Sequence, residues 1–215
     1  MPDSLRRLAP LTGVVFAVLL AFTFILTWNT PGIHDSGLKV ISYYKDHNGK
    51  ELIGNFLGAL GVGFFLFFVA SLRSYLRQFP GAEGPSAMAL AGATLLGVGG
   101  ATFVSLSFAL ADARNSISPA AAEAINVLNN DFFWPFTLGT AVFGIGIGLA
   151  IVNSGALPKW LGWVAFVLGV IAFTPLGFLS FIIFLLWSAV VGVMIYMRGD
   201  AMPATDASPT TAGPM

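Results

Sequence analysis

The stretch WLGWVAFVLGVIAFTPLGFLSFIIFLLWSAVVGVMIYM, residues 160–197, runs 38 residues without a charge, a side-chain amide or a histidine. Its reading decides the fold. As one straight helix it would reach about 57 Å, nearly twice the ~30 Å of bilayer hydrocarbon. Near its middle stands Thr174-Pro175-Leu176-Gly177. Proline removes a backbone donor and clashes with the preceding turn, and glycine allows a tight reversal. The stretch therefore predicts two membrane spans, about 157–173 and 176–197, joined by a very short hairpin.

Outward from there, four more segments each supply the ~20 mostly apolar residues that a span needs. They cover about 9–28, 52–72, 88–110 and 133–152. The fold class predicted is all-α, a polytopic membrane domain over 1–198 with six transmembrane helices, followed by a disordered cytoplasmic tail over 199–215. The tail is rich in Pro, Ala, Thr and Gly. Composition agrees. Of 215 residues, 56% are hydrophobic and 9% charged, too few charges to cover a soluble surface. Mean hydropathy is +0.84. Net charge is zero, so no basic field recruits nucleic acid.

Arg6 and Arg7 resemble the start of a signal peptide, but the apolar run after them is too long for one and no small-x-small site follows Trp28. The first span is read as uncleaved. An even span count puts both termini on one side. That side carries six Lys and Arg (Arg6, Arg7, Arg73, Arg77, Lys159, Arg198) against four (Lys39, Lys45, Lys50, Arg114). The bias predicts both termini in the cytoplasm. Trp160, Trp163 and Tyr196 then form an inner aromatic belt, with Trp28 and Trp134 in the outer one.

The first two outer loops hold about 22 residues each, room for a short interfacial helix apiece. In the first, Asp35 or Ser36 can cap GLKVISYYKDH, and Asn48-Gly49 is placed to end that helix before the span. In the second, Ser118-Pro119 reads as N-cap plus proline at the first helical position. Ala121, Ala124, Ile125 and Leu128 fall on one face of the helix that follows. A shift of 85 residues sets Gly54 on Gly139 and LGVGF (60–64) on IGIGL (145–149), the mark of a repeated hairpin.

LPKWLGWVAFVLGVIAFTPLGF (157–178) resembles a segment of small multi-pass bacterial membrane proteins that carry Leu-Pro-basic-Trp-Leu-Gly-Trp into their penultimate span. The resemblance covers about a tenth of the chain. It implies a bacterial cytoplasmic membrane and lends no activity.

Several chemistries are excluded. The chain has no cysteine, hence no disulfide, iron–sulfur cluster or thiolate metal site. The two histidines, His34 and His47, lie outside the apolar spans, which excludes a bis-histidine haem inside the bilayer. No cofactor is implied. No G-x-S-x-G, H-E-x-x-H or P-loop pattern occurs. No ionisable side chain sits deep in a span, which speaks against ion-coupled transport and proton pumping.

Three features remain. His47, Glu51 and Asn55 share a helical face at the start of the second span, and with Asp131 they form a candidate outer polar cluster. A His/carboxylate set can bind a divalent metal or act as an acid/base pair, but polar residues at a wet helix mouth give the same pattern. Next, Thr23, Thr27, Asn55, Thr102, Ser105, Ser107 and Thr137 gather in the outer half of the spans. They can line an outward-open vestibule or bond helix to helix. Last, Gly54-x3-Gly58 and Gly144-x3-Gly148 are close-contact rows, for use within the bundle or between subunits of an oligomer. The function expected is binding or scaffolding of a lipid, an apolar small molecule or a membrane partner. The second expectation is a small permease or channel component acting as an oligomer, and the third an enzyme with an outer-loop site.

Overall fold

The computed structural model describes residues 7–199, and among these there is no strand. The tail beyond Gly199 lies outside the described residues, as does Arg6. A 3-10 turn, Ala9–Leu11, leads into α1 (Thr12–Thr27). There follow α2 (Gly37–Leu76), α3 (Glu83–Ala113), α4 (Pro119–Asp131), α5 (Trp134–Ser154), α6 (Lys159–Ile171) and α7 (Gly177–Gly199). Five segments are long and apolar enough to cross a membrane: Ala9–Thr27, Gly37–Leu76, Glu83–Ala113, Pro119–Ser154 and Gly177–Arg198. The protein is membrane-embedded, and its outward Phe, Leu and Val side chains meet lipid. α6 is apolar but has only 13 residues, about 20 Å of helix.

The 160–197 stretch breaks where proline predicts. α6 ends at Ile171, and α7 begins at Gly177. Across the hairpin, Ser180 Oγ donates to Leu168 O at 2.6 Å and Trp187 Nε1 to Leu161 O at 3.0 Å. The Arg198 guanidinium donates to Ala156 O. Partners move down one helix as they move up the other, so the helices are antiparallel. Thr174 closes the turn, donating from Oγ1 to Ile171 O at 2.7 Å and accepting from Leu176 N at 3.2 Å. Gly177 does not use its conformational freedom, since positive φ occurs only at Gly81 and Gly155 among the described residues. What it supplies is space: a Cβ there would stand 2.7 Å from Ala172 O.

The glycine rows are spent inside the bundle. A Cβ at Gly54 would stand 2.6 Å from Thr27 Cγ2, and one at Gly148 would stand 2.6 Å from Gly162 O. Small residues let these backbones approach, which is how apolar helices associate in lipid. The centre is aromatic. Phe65 meets Phe16 at 4.9 Å and Phe143 at 5.4 Å between centroids, and Phe143 meets Phe184 at 5.6 Å and Trp187 at 6.2 Å. Those rings come from α1, α2, α5 and α7. Gly192 lies beside Pro10, and the Arg7 guanidinium stands 5.6 Å over the Tyr196 ring, so both ends of the described chain sit at one end of the bundle.

Two expectations about the loops need correction. The first loop carries no separate interfacial helix. α2 is one helix of 40 residues, about 60 Å, and its polar first third packs against the end of α3 and against α4. Asn48-Gly49 does not break it, because an interior glycine costs only about 1 kcal/mol and packing on both sides of it outweighs that. Val40 and Tyr44 pack there with Leu110, Ala111 and Ala122 in a second, smaller core. Ser36 takes the N-cap position, but no side chain of its own loop caps the helix. Instead Glu123 Oε2 of α4 accepts from Gly37 N at 3.1 Å.

The second loop helix begins as expected, with Ser118 Oγ accepting from Ala121 N at 3.3 Å and Pro119 following. Its inward face is not the apolar one. Ala121, Ala124 and Leu128 are exposed, while Ala122, Asn126 and Asn129 are buried. Hydrogen bonds chose the face. Asn126 Nδ2 donates to Gly32 O at 2.9 Å, Asn130 Nδ2 to Pro31 O at 3.2 Å, and Asn129 Nδ2 to Ser107 Oγ at 2.8 Å. A buried amide without partners costs more than an exposed leucine at a membrane surface.

The 85-residue shift holds in part. It lays α2 over α4 and α5, where Pro135 splits the second copy into two helices. The partner helices do not follow. Gly54 faces Thr27, whose shifted position is Asp112, whereas Gly139 faces Leu96.

Candidate functional site

That register difference makes room for a site. A Cβ at Gly58 would meet Val104 at 3.1 Å and Thr23 at 3.3 Å, so α1, α2 and α3 rise together. A Cβ at Gly99 would meet Pro135 at 3.1 Å, so α5 starts level with Gly99. α3 runs on from Gly99 to Ala113, about 20 Å further. The wall of α5 and the α6–α7 turn is therefore low, and the wall of α1–α3 is high. Between them, beneath α4, lies a cavity of ≈ 490 Å³. That is within the ~300–1,000 Å³ usual for small-molecule sites.

The lining is aromatic below and polar at the mouth. It holds nine phenylalanines, among them Phe16 and Phe65 at the floor and Phe136 and Phe181 on the low wall. Five of the seven residues of the outer polar set line it: Thr23, Thr27, Asn55, Ser107 and Thr137. Thr102 and Ser105 do not, and Ser105 is exposed with its hydroxyl on Ala101 O at 2.7 Å.

The cluster foreseen around His47 separates. Asn55 is 2% exposed and lines the cavity. Its Nδ2 donates to Glu51 O at 2.7 Å and reaches Glu51 Oε2 at 3.5 Å. Glu51 is fully buried, and the Tyr43 hydroxyl donates to its Oε1 at 2.8 Å. It lies one helical turn beyond Asn55, behind the lining. His47 is half-buried, stacked on Tyr43 at 4.5 Å between centroids, with Nδ1 at 3.0 Å from Tyr43 O. Asp131 is exposed at the end of α4, and none of the described hydrogen bonds or ion pairs joins it to the other three. Among the described residues, no group of three or more His, Asp and Glu is placed to share a metal ion.

Sequence reasoning passed over Asn129 and Asn130, which line the mouth. Asn129 is 5% exposed, and its Oδ1 is buried without a hydrogen-bond partner among the described residues. Two asparagines ending an otherwise amphipathic helix were the available signal.

The hydroxyls at the mouth are mostly turned inward. Thr23 Oγ1 shares its one proton between Leu19 O at 3.0 Å and Gly54 O at 3.1 Å. Thr27 Oγ1 donates to Thr23 O at 3.0 Å, and Thr137 Oγ1 to Trp134 O at 3.3 Å. Such bonds to the preceding turn use up the hydroxyl proton and leave lone pairs. No Asp, Glu, Lys, Arg or His is among the described residues that line the cavity.

No family model matches this chain, and neither a curated protein nor a solved structure does. The chemistry of this site is what its own residues supply.

Proposed function

We propose that this is a non-enzymatic binding protein of the cytoplasmic membrane, with six spans and both termini inside, that holds a lipid or another apolar small molecule in the cavity beneath α4. One observation carries the reading: the ≈ 490 Å³ cavity, with nine phenylalanines in its walls and amides and hydroxyls at its mouth. An aromatic wall with a few convergent polar groups is the usual make-up of a site for an apolar ligand. Among the described residues the lining offers no acid, base or cation with which to run a reaction. Support for binding rather than conduction comes from the floor, where Phe65, Phe143, Phe184 and Trp187 close on one another. Orientation rests on the six-to-four bias of Lys and Arg. The sixth span is assigned to α6, whose antiparallel partner is α7.

The test is extraction of lipid and small molecules that co-purify with the protein, read by mass spectrometry. Val104→Trp fills the cavity from the high wall. Val98→Trp adds the same ring to the lipid-exposed side of the same helix. The co-purifying species should fall several-fold in the first variant and stay at the wild-type level in the second. Equal retention by both would overturn the reading.

A further inference from the structure

Asn55, Thr23, Thr27 and Thr137 share one property: their donors are committed and their acceptors are not. Asn55 gives Nδ2 to Glu51, and no donor reaches its Oδ1 among the described residues. Asn129 gives Nδ2 to Ser107, and its Oδ1 is buried without a partner. Thr23, Thr27 and Thr137 give their protons to helix carbonyls. A ligand that brings a donor gains a hydrogen bond at Asn55 Oδ1, which lines the cavity.

Charge narrows the class further. A phosphate head needs Lys, Arg or a row of free N–H groups, and the described lining supplies no such side chain. A cationic head would meet aromatic faces, but no carboxylate among the described residues lines the cavity to offset its loss of water. Size acts in the same sense. The space suits one hydrocarbon chain and is smaller than a two-chain phospholipid. Phe16, Phe65, Phe136 and Phe181 run from the mouth's lower edge into the centre and give that chain its wall.

We infer that the cavity takes a neutral single-chain lipid with a free hydroxyl head, its proton donated to Asn55 Oδ1 and its chain along the phenylalanine wall. This rests on the cavity being a ligand site, as proposed above. The hydroxyl is thus what the mouth selects, and the chain supplies most of the affinity.

The experiment is competition for tritiated hexadecanol on the full chain in nanodiscs. The competitors are hexadecanol, hexadecyl methyl ether, hexadecyl phosphate and hexadecyltrimethylammonium. Hexadecanol should compete about tenfold better than the ether, the worth of one net hydrogen bond. Phosphate and ammonium should compete no better than the ether. In Asn55→Leu the alcohol-to-ether ratio should fall toward one while the ether still competes. A ratio needs no correction for loss of folded protein. Equal competition by alcohol and ether in the wild type would sink the inference and leave the cavity reading standing. Preference for phosphate or ammonium would do the same. Binding of hexadecanol that no competitor displaces, or no binding at all, would remove both.

Discussion

Glu123 Oε2 lies 3.1 Å from the backbone nitrogen of Gly37, 86 residues earlier in the chain. A helix as long as α2 is thereby capped by a side chain from a different helix. The carboxylate satisfies one of the first N–H groups of α2 and sits at the positive end of its dipole. Glu123→Ala should cost about 0.5–2 kcal/mol, the range of N-cap losses. Hydrogen exchange should speed up first at Gly37 and the residues of that turn, with the middle of α2 unchanged. Uniform exchange along α2 would refute the capping role.

The bond between Asn129 and Ser107 invites a double-mutant cycle. Ser107→Ala leaves a buried amide with neither of its ends satisfied, a penalty of about 1–3 kcal/mol. Adding Asn129→Ala removes that amide and should recover part of the loss. The coupling, read from denaturation in detergent, should fall near the ~0.6 kcal/mol mean of hydrogen bonds in membrane proteins or modestly above it. Strict additivity would show that the two side chains do not interact.

Gly177 and Gly155 should respond to substitution for opposite reasons. At Gly177 the obstacle is space, with Ala172 O at 2.7 Å and Thr137 Cγ2 at 3.1 Å from an added Cβ. Gly177→Ala should destabilise by about 1–3 kcal/mol, the cost of overpacking. At Gly155 nothing lies within 4 Å and the obstacle is φ of +63°. Gly155→Asn should therefore be milder than Gly155→Ala, because asparagine tolerates the left-handed region. Thermal melts of the three variants check the order.

The absence of cysteine makes the topology easy to probe. Single cysteines at Ser36, Ser116 and Ser74 replace exposed serines. With both termini inside, a membrane-impermeant maleimide should label Ser36→Cys and Ser116→Cys on intact cells. Ser74→Cys should react only after permeabilisation. Labelling of all three, or of Ser74→Cys alone, would reverse or break the topology.

Much of this molecule could be read from periodicity and punctuation. Pro175 announced the hairpin, and the apolar runs announced the helices, because both signals are local. Asn55 was legible for the same reason: an amide one turn inside an apolar run must find a partner or a cavity. Asn129 was not, although Asp131 two residues later was singled out. Two residues are about 200° of helix, so the choice depends on which face of α4 turns inward. The loop carbonyls of Pro31 and Gly32 decided that, about a hundred residues away. The phenylalanine wall was invisible for a related reason. Its rings come from α1, α2, α5 and α7, and an apolar side chain in an apolar helix does not declare whether it meets lipid, core or cavity.

The short α6 has a consequence for the bilayer itself. Its 13 residues cover about 20 Å, against ~30 Å of hydrocarbon. Phe173 and Leu176 at the turn beyond it are exposed and apolar. With α6 as the sixth span proposed above, lipid on that flank would meet a hydrophobic face some 10 Å too low, at a cost of fractions of a kcal/mol per Å. On that reading the surrounding leaflet would thin there or the hairpin would tilt. The proposed sixth span would thus make the protein's stability depend on membrane thickness on one side only. Its melting temperature should rise as acyl chains are shortened, and it should sort toward thinner membranes.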